Sequence, residues 1–213
     1  RESNRQSESI AMKYINWGLN QPPILNTLES LGYKIFTQKN YDLNIIGIRN
    51  SNRRPGLFDD EICVCYKEGF DWIEERYKAT TDPSMEQHLN PNHKTGVAIM
   101  KPGQYRGLYK YGKHRGQYDA LVQTGSSVSF YRDDNKDERT DYINEAKGYI
   151  GLNLHRAHPN KIAQSTRAYS HGCQVVQSPA DYARLMGLCR MQLGIGYKTF
   201  TYTLIEATDE EIS

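Results

Sequence analysis

His155 is followed, after fourteen residues, by Ser170-His171-Gly172-Cys173. Cysteine attacks only as its thiolate. A free thiol, with a pKa near ~8.5, is mostly protonated at neutral pH, so a nucleophilic cysteine needs an imidazole beside it. His155 closes the stretch Gly151-Leu152-Asn153-Leu154-His155, which reads as a strand, and Cys173 opens the next apolar segment with Gln174 and Val175. Gly172 lets the backbone turn sharply and approach a carbonyl group. Successive N–H groups of His171, Gly172 and Cys173 can then face a developing oxyanion. The chemistry that suits this set is acyl transfer, with Cys173 as nucleophile and His155 as general base.

These residues resemble the L,D-transpeptidase family, the cysteine acyltransferases of bacterial cell walls. Its signature is a histidine, a gap of similar length, and then Ser/Thr-His-Gly-Cys. The resemblance covers residues 150–178 and extends to Lys101-Pro102-Gly103-Gln104-Tyr105, similar to a Pro-x-Gly-x-aromatic stretch that precedes the site in many members. It implies that Cys173 is the nucleophile and His155 its base, that Gly172 contributes to the oxyanion site, and that Ser170 and His171 shape the substrate pocket. It also implies a β-rich catalytic domain acting on peptidoglycan stem peptides without a metal or organic cofactor. After Cys173 the family carries an apolar residue and then Asn or Arg, whereas this chain has Gln174 and Val175.

The individual residues admit other readings. Cysteine is among the most buried residue types, so Cys173 alone also reads as an inert core thiol. His171 either touches substrate or fills space beside the turn. Arg156 can hold a stem-peptide carboxylate as a bidentate donor. His114, within Tyr111-Gly112-Lys113-His114-Arg115-Gly116, is a second candidate substrate contact or part of an exposed hairpin. Zinc held by His155, His158, His171 and Cys173 is chemically permissible. Pro159 follows at once, however, and no helix presents the two histidines on one face, so no metal is assigned. Cys63 and Cys65 lie on one face of a strand and Cys189 on an apolar helix face, all three as structural thiols.

The positioning elements are mostly strands. Tyr33–Phe36, Asn44–Arg49, Glu61–Tyr66, Val97–Lys101, Tyr118–Gln123 and Val128–Tyr131 are rich in β-branched and aromatic residues and are separated by Gly, Pro, Asn and Asp. This is the pattern of a mainly β sandwich or barrel. A polar lead-in (1–9) precedes two short helical patterns. The first carries Ile10, Tyr14 and Trp17; the second runs over 24–31 with Gly32 as its stop. Thr80-Thr81-Asp82-Pro83 and Asn90-Pro91-Asn92 read as a long surface loop, and Arg132–Arg139 as a solvated one. Calcium at the latter would lack an EF-hand's register and glycine. Ser178-Pro179-Ala180-Asp181 supplies an N-cap, an early proline and an acid three residues on. The helix it opens places Tyr182, Leu185, Met186, Cys189 and Leu193 on one face, and a last strand over 199–205 follows. The division expected is a helical lead-in or appendage at 1–32 and a β-rich catalytic domain at 33–213.

Composition bounds the rest. In 213 residues, 38% are hydrophobic, including 16 tyrosines, which leaves the chain poor in purely apolar side chains against a typical ~45–50%. A net charge of +2 with 11% aromatics is the wrong signature for disorder and offers no bulk attraction to nucleic acid. No apolar run is long enough to span a bilayer. Within those bounds the resemblance implies an L,D-transpeptidase-like enzyme in the periplasm, secreted or carried on a virion, working by hydrolysis or transpeptidation. The rival is a non-catalytic β-rich module that binds cell wall or builds a virion or secretion assembly, its tyrosines stacking on sugars.

Overall fold

A computed structural model describes residues 13–167 and 169–207. Strand β1 (Lys13–Gly18) and helix α1 (Pro23–Ser30) lead into β2 (Asn44–Arg49), β3 (Asp60–Glu68) and β4 (Asp71–Thr80). A short helix, α2 (Met85–Leu89), precedes β5 (Val97–Met100), β6 (Gly103–His114), β7 (Tyr118–Gln123) and β8 (Val128–Asp133). The chain closes with β9 (Ala146–Gly148), β10 (Leu154–Arg156), β11 (Gln174–Val176), helix α3 (Pro179–Gly194) and β12 (Thr199–Glu206).

Strands pair in the order β4-β11-β10-β7-β6-β12-β2-β3, and β3 returns to β4 to close an eight-stranded barrel. One edge of β4 is taken by β3. The other is shared: β1 pairs along Trp72–Arg76, and β11 pairs at Ala79 and Thr80. Strands β5, β8 and β9 form a separate sheet whose Ala98, Met100, Val128 and Phe130 pack into the barrel's core. Two pairings, β10 with β11 and β12 with β2, are parallel. Parallel neighbours cannot be joined by a tight turn. The connection from β10 to β11 is accordingly long, and Ser170–Cys173 lie at its end.

Alternation assigns the faces. Leu154 of β10 and Val176 of β11 belong to the main core, so their alternating neighbours Asn153, His155, Cys173 and Val175 turn away from it. In β2, Ile45 faces that core while Ile46 and Ile48 meet Ile24, Leu25 and Leu28 of α1 in a second one. A strand buried on both faces reads as a continuous apolar run. The tyrosine surplus supplies much of the interior: Tyr66, Tyr77, Tyr109 and Tyr202 are among the largest fully buried side chains. The hydroxyls of Tyr66 and Tyr77 donate to the two Glu75 carboxylate oxygens at 2.7 and 2.6 Å. That of Tyr202 donates to Gln174 Oε1 at 2.7 Å.

Several sequence expectations need correction. Residues 13–18 form a strand and not the helix that Tyr14 and Trp17 suggested; Ile10 and the lead-in at 1–9 lie outside the described residues. Pairing with β4 overrides the helical spacing, and Trp17 Nε1 donates to Glu74 Oε2 at 2.8 Å. Residues 33–36 are an irregular strap, because their N–H groups do not pair with a neighbouring strand: that of Tyr33 bonds back to the Leu28 carbonyl, that of Lys34 to Gln104 Oε1 and that of Phe36 to Asn44 Oδ1. Thr80, Thr81 and Asp82 are buried, drawn in by the guanidinium of Arg49. Within the solvated 132–139 loop, Asp133 is also buried, with its Oδ2 lying 3.3 Å from His88 Nδ1. The helix from Pro179 starts as expected, Ser178 Oγ accepting from the Asp181 N–H. Among the described residues, no helix is long and apolar enough to cross a membrane.

Candidate functional site

Leu154 lies opposite Gln174 and His155 opposite Val175 in the parallel pair of β10 and β11. Extending that register puts Asn153 beside Cys173, and the Gln174 N–H donates to the Asn153 carbonyl at 2.9 Å. Cys173 and His155 therefore project from adjacent strands on the same outward face, one diagonal step apart. The thiol sits between two backbone groups: Sγ accepts from the Asn153 N–H at 3.4 Å and lies 3.7 Å from the Gly151 carbonyl oxygen. Among the described residues, no hydrogen bond joins Sγ to an imidazole. Val175, Phe58, Ala157 and Ala163 form a small apolar cluster against which Cys173 and Tyr169 pack.

His155 is buried, and its Nδ1 lies 2.8 Å from the Arg156 carbonyl oxygen. Only a protonated nitrogen can donate to a carbonyl, so Nδ1 carries the hydrogen and the lone pair is on Nε2, which has no hydrogen-bond partner among the described residues. The Tyr118 hydroxyl reaches the same Nδ1 at 3.3 Å. The ring of His114 stacks on that of His155 with centroids 4.0 Å apart. Burial above all, with the neighbouring His114, Arg115 and Arg156, pushes the His155 pKa down to about 3. Burial likewise pushes the Cys173 thiol up, opposed by the Asn153 amide and the Arg115 guanidinium. At neutral pH the resting site thus holds a thiol and a neutral imidazole.

Asn153 ties the two halves together. Its backbone donates to Cys173, its side-chain Nδ2 donates to His114 Nδ1 at 3.3 Å, and its Oδ1 accepts the Gln123 N–H at 3.0 Å. Asn153, Tyr118 and Arg115 stand outside the candidate residues named from the sequence. The signal for Asn153 was present in its place two residues before His155, on the same face of a strand.

The loop that delivers Cys173 is pinned from behind. The Ser170 hydroxyl lies 2.7 Å from the Asp82 carbonyl oxygen and 3.0 Å from that of Cys173, which compete for its one proton. It also accepts the Gly172 N–H at 3.3 Å, and the Ser84 N–H donates to the Ser170 carbonyl at 2.9 Å. The Gly172 N–H is thus turned toward Ser170, whereas the Cys173 N–H has no acceptor among the described residues and is the open donor beside the thiol. Gly172 has φ +115°, and a Cβ there would stand 2.5 Å from the Ala98 carbonyl oxygen. The glycine is required by the chain's own approach to β5.

The other sequence candidates are spread around this centre. Arg156 lays its guanidinium over the Tyr118 ring, 4.0 Å from the centroid, and is half-buried. His114 ends β6 at the hairpin to β7, whose turn at 115–117 is exposed, while its own side chain is buried against His155. His171 is exposed, its Nδ1 accepting from Asn92 Nδ2 at 3.2 Å. His158 Nδ1 accepts the Asn160 N–H at 3.0 Å. Among the described residues, no group of three or more His, Cys, Asp or Glu side chains converges as a metal site. Gln174 is consumed by the interior, bonded to Tyr202 and resting on Met100 Sδ. Comparison with protein-family models, with curated proteins and with solved structures found no match to the chain.

Proposed function

We propose that this chain performs cysteine-dependent acyl transfer on peptidoglycan stem peptides in the manner of an L,D-transpeptidase. The observation that carries the reading is the placement of Cys173 and His155 on one outward face of two adjacent parallel strands, the thiol bonded to the Asn153 amide and the lone pair of His155 on Nε2. Cys173 Sγ attacks the amide carbonyl carbon next to a D-amino acid as its proton passes to His155 Nε2. The carbonyl oxygen, now negative, takes the Cys173 N–H. An imidazolium in so desolvated a place gives up its proton readily, and the leaving amine receives it as the C–N bond breaks. The resulting thioester is opened by water, giving a carboxypeptidase or endopeptidase, or by a second peptide's amine, giving a cross-link. His114 and Arg156 line the approach as substrate contacts. A periplasmic, secreted or virion-borne setting follows from that substrate.

The raised thiol and the missing Sγ–imidazole bond favour the rival, a wall-binding or assembly module that has kept the pair without using it. One comparison decides. Sacculi are digested with wild type and with Cys173→Ala, and the muropeptides are resolved by mass. Release of D-amino acid or peptide fragments, or new cross-links, by wild type alone is the expected result. Identical profiles from folded proteins across several wall chemistries would sink the enzymatic reading. Digestion in 18O-labelled water separates the outcomes, since hydrolysis marks the product and transfer does not.

A further inference from the structure

A second cleft, of about 540 Å3, lies between the 34–38 strap, β6, β12 and the end of α3. Its origin is a wide bulge: between Tyr109 and Tyr105 of β6 stand Arg106, Gly107 and Leu108, facing Thr201 alone on β12. Gly107 takes φ +61° there, and its N–H donates to Thr201 Oγ1 at 3.2 Å. Bulges of this kind re-aim side chains. Arg106 is carried out of the ladder, its guanidinium 5.6 Å from the centroid of the Phe36 ring. Lys34 and Lys198 line the same walls.

The walls are fixed in advance. Asn44 bonds both the N–H and the carbonyl of Phe36, at 2.8 and 2.9 Å. Gln192 does the same across the floor, accepting from the Leu43 N–H and donating to the Thr199 carbonyl, both at 2.9 Å. Asp42 also lines the cleft. The residue is 7% exposed, and its carboxylate makes no hydrogen bond or ion pair among the described residues, so its oxygens open only onto the cleft. A carboxylate in that position is free to accept from the donors of a ligand.

The geometry points to a binding site for an acidic saccharide, whose hydroxyl or amide groups donate to Asp42 while its carboxylate meets Arg106, Lys34 and Lys198. A simple inorganic anion offers Asp42 no donor and sets like charge beside it, and a neutral glycan would leave three cations idle. Gly107 and His114 stand seven residues apart on β6, about 24 Å along a strand, so the cleft is separate from the thiol site. A polymeric substrate is the kind that reaches both. The choice of a wall glycan as first probe rests on the proposed function; the cleft's own chemistry does not.

The test uses Cys173→Ala protein, so nothing is turned over. Peptide-free tetrasaccharide of N-acetylglucosamine and N-acetylmuramic acid, hyaluronan tetrasaccharide and neutral chitotetraose are titrated while the Gly107, Thr199 and Thr201 amide resonances are followed. At least one acidic sugar is expected to shift these amides and to bind about tenfold more tightly than chitotetraose. Arg106→Gln and Asp42→Asn should each weaken it about tenfold. Should Asp42→Asn not fold, Arg106→Gln together with Lys198→Gln carries the test, because both residues lie at the surface of the cleft. The muramyl sugar binding better than hyaluronan names cell wall as the source, and the reverse order names another acidic glycan. Silence from both acidic sugars, equal binding of chitotetraose, or tighter binding of a single-stranded oligonucleotide overturns the site. Glycan binding that persists where sacculus digestion fails would retain the cleft and remove the enzyme, and the converse would do the opposite.

Discussion

At the scale of single residues, Cys173 and His155 rest in their uncharged forms. A preformed thiolate–imidazolium pair would need an environment that favours both charges, and burial here disfavours both. In the proposed reaction deprotonation would be coupled to attack on substrate and not stored in the free protein. The consequence is measurable by alkylation. Cys63, Cys65 and Cys189 are fully buried, so in folded protein iodoacetamide should label Cys173 first. Because the thiol is raised, its labelling rate should still be climbing above pH ~8.5, where an ordinary cysteine is half ionised. Removing the favourable guanidinium with Arg115→Gln should move the curve further to alkaline pH. Mass mapping of labelled peptides across pH 6–10 checks this; a plateau reached near pH 6–7 would mean that His155 activates the thiol at rest. The types and spacing of His155, Gly172 and Cys173 could be seen in the sequence. Their charge states could not, since these depend on burial, on His114 and Arg115 brought in at the β6–β7 hairpin, and on the pairing that sets Asn153 beside Cys173.

At the scale of elements, the decisive feature is the crossover from β10 to β11. It must be long because the strands are parallel, and its last turn must be rigid if Cys173 is to meet Asn153 in register. Ser170 supplies the rigidity through the Asp82 and Cys173 carbonyls and the Gly172 N–H. Ser170→Ala leaves the buried Gly172 N–H without its acceptor and the Asp82 carbonyl with only the 3.2 Å bond from the Thr80 hydroxyl, with an expected cost of about 1–3 kcal/mol. The urea midpoint should fall accordingly. Alkylation of Cys173 should change at the same time, while Cys63, Cys65 and Cys189 stay protected. An unchanged midpoint and labelling pattern would mean that Ser170 does not hold the loop. Legibility followed local pattern. β2 and β7 carry dense apolar runs and α3 carries its cap, so all three were visible. β4 was hidden because Glu74, Glu75 and Arg76 stand in its middle: Glu74 is buried with Trp17 and Arg76 as its donors and Glu75 with Tyr66, Tyr77 and Arg184, and of these Trp17 and Arg184 come from distant segments. β6 was hidden by its glycines and lysines, and β1 by a tyrosine and tryptophan at helical spacing.

At the scale of the whole molecule, the barrel closes around charge as well as hydrocarbon. Arg49, 1% exposed, pairs with Asp82 at 3.1 Å and donates to the Thr81 and Met100 carbonyls, which ties β2 to the segment after β4 and to the small sheet. Asp60 accepts from the Thr81 and Asn50 N–H groups beside it, both at 2.7 Å. The guanidinium pairs with Asp82 directly and acts on Asp60 only through space by its charge. Burial and then the nearby Asp82 push Asp60 up to about 7, so the pair retains a proton well above the usual carboxylate range. An acid whose pKa is raised on folding holds its proton more tightly in the native state than in the unfolded one, so its stabilising contribution is complete below about pH 4 and is lost as pH rises toward 7. The depressed His155 pKa acts with the opposite sign, removing stability as pH falls below about 6.5 toward 3, so the wild-type profile alone mixes the two. Asp60→Asn isolates the carboxylate, because the amide keeps an acceptor for Thr81 and cannot ionise. The stability difference, variant minus wild type, measured as urea unfolding at steps from pH 4.5 to 7.5, should grow in the variant's favour by an amount on the order of 1–3 kcal/mol. The same difference taken with His155→Phe, another uncharged ring, should grow in the variant's favour in the other direction, as pH is lowered. A flat Asp60→Asn difference across that range would show that Arg49 fully neutralises both carboxylates and that the barrel's interior holds no proton at neutral pH.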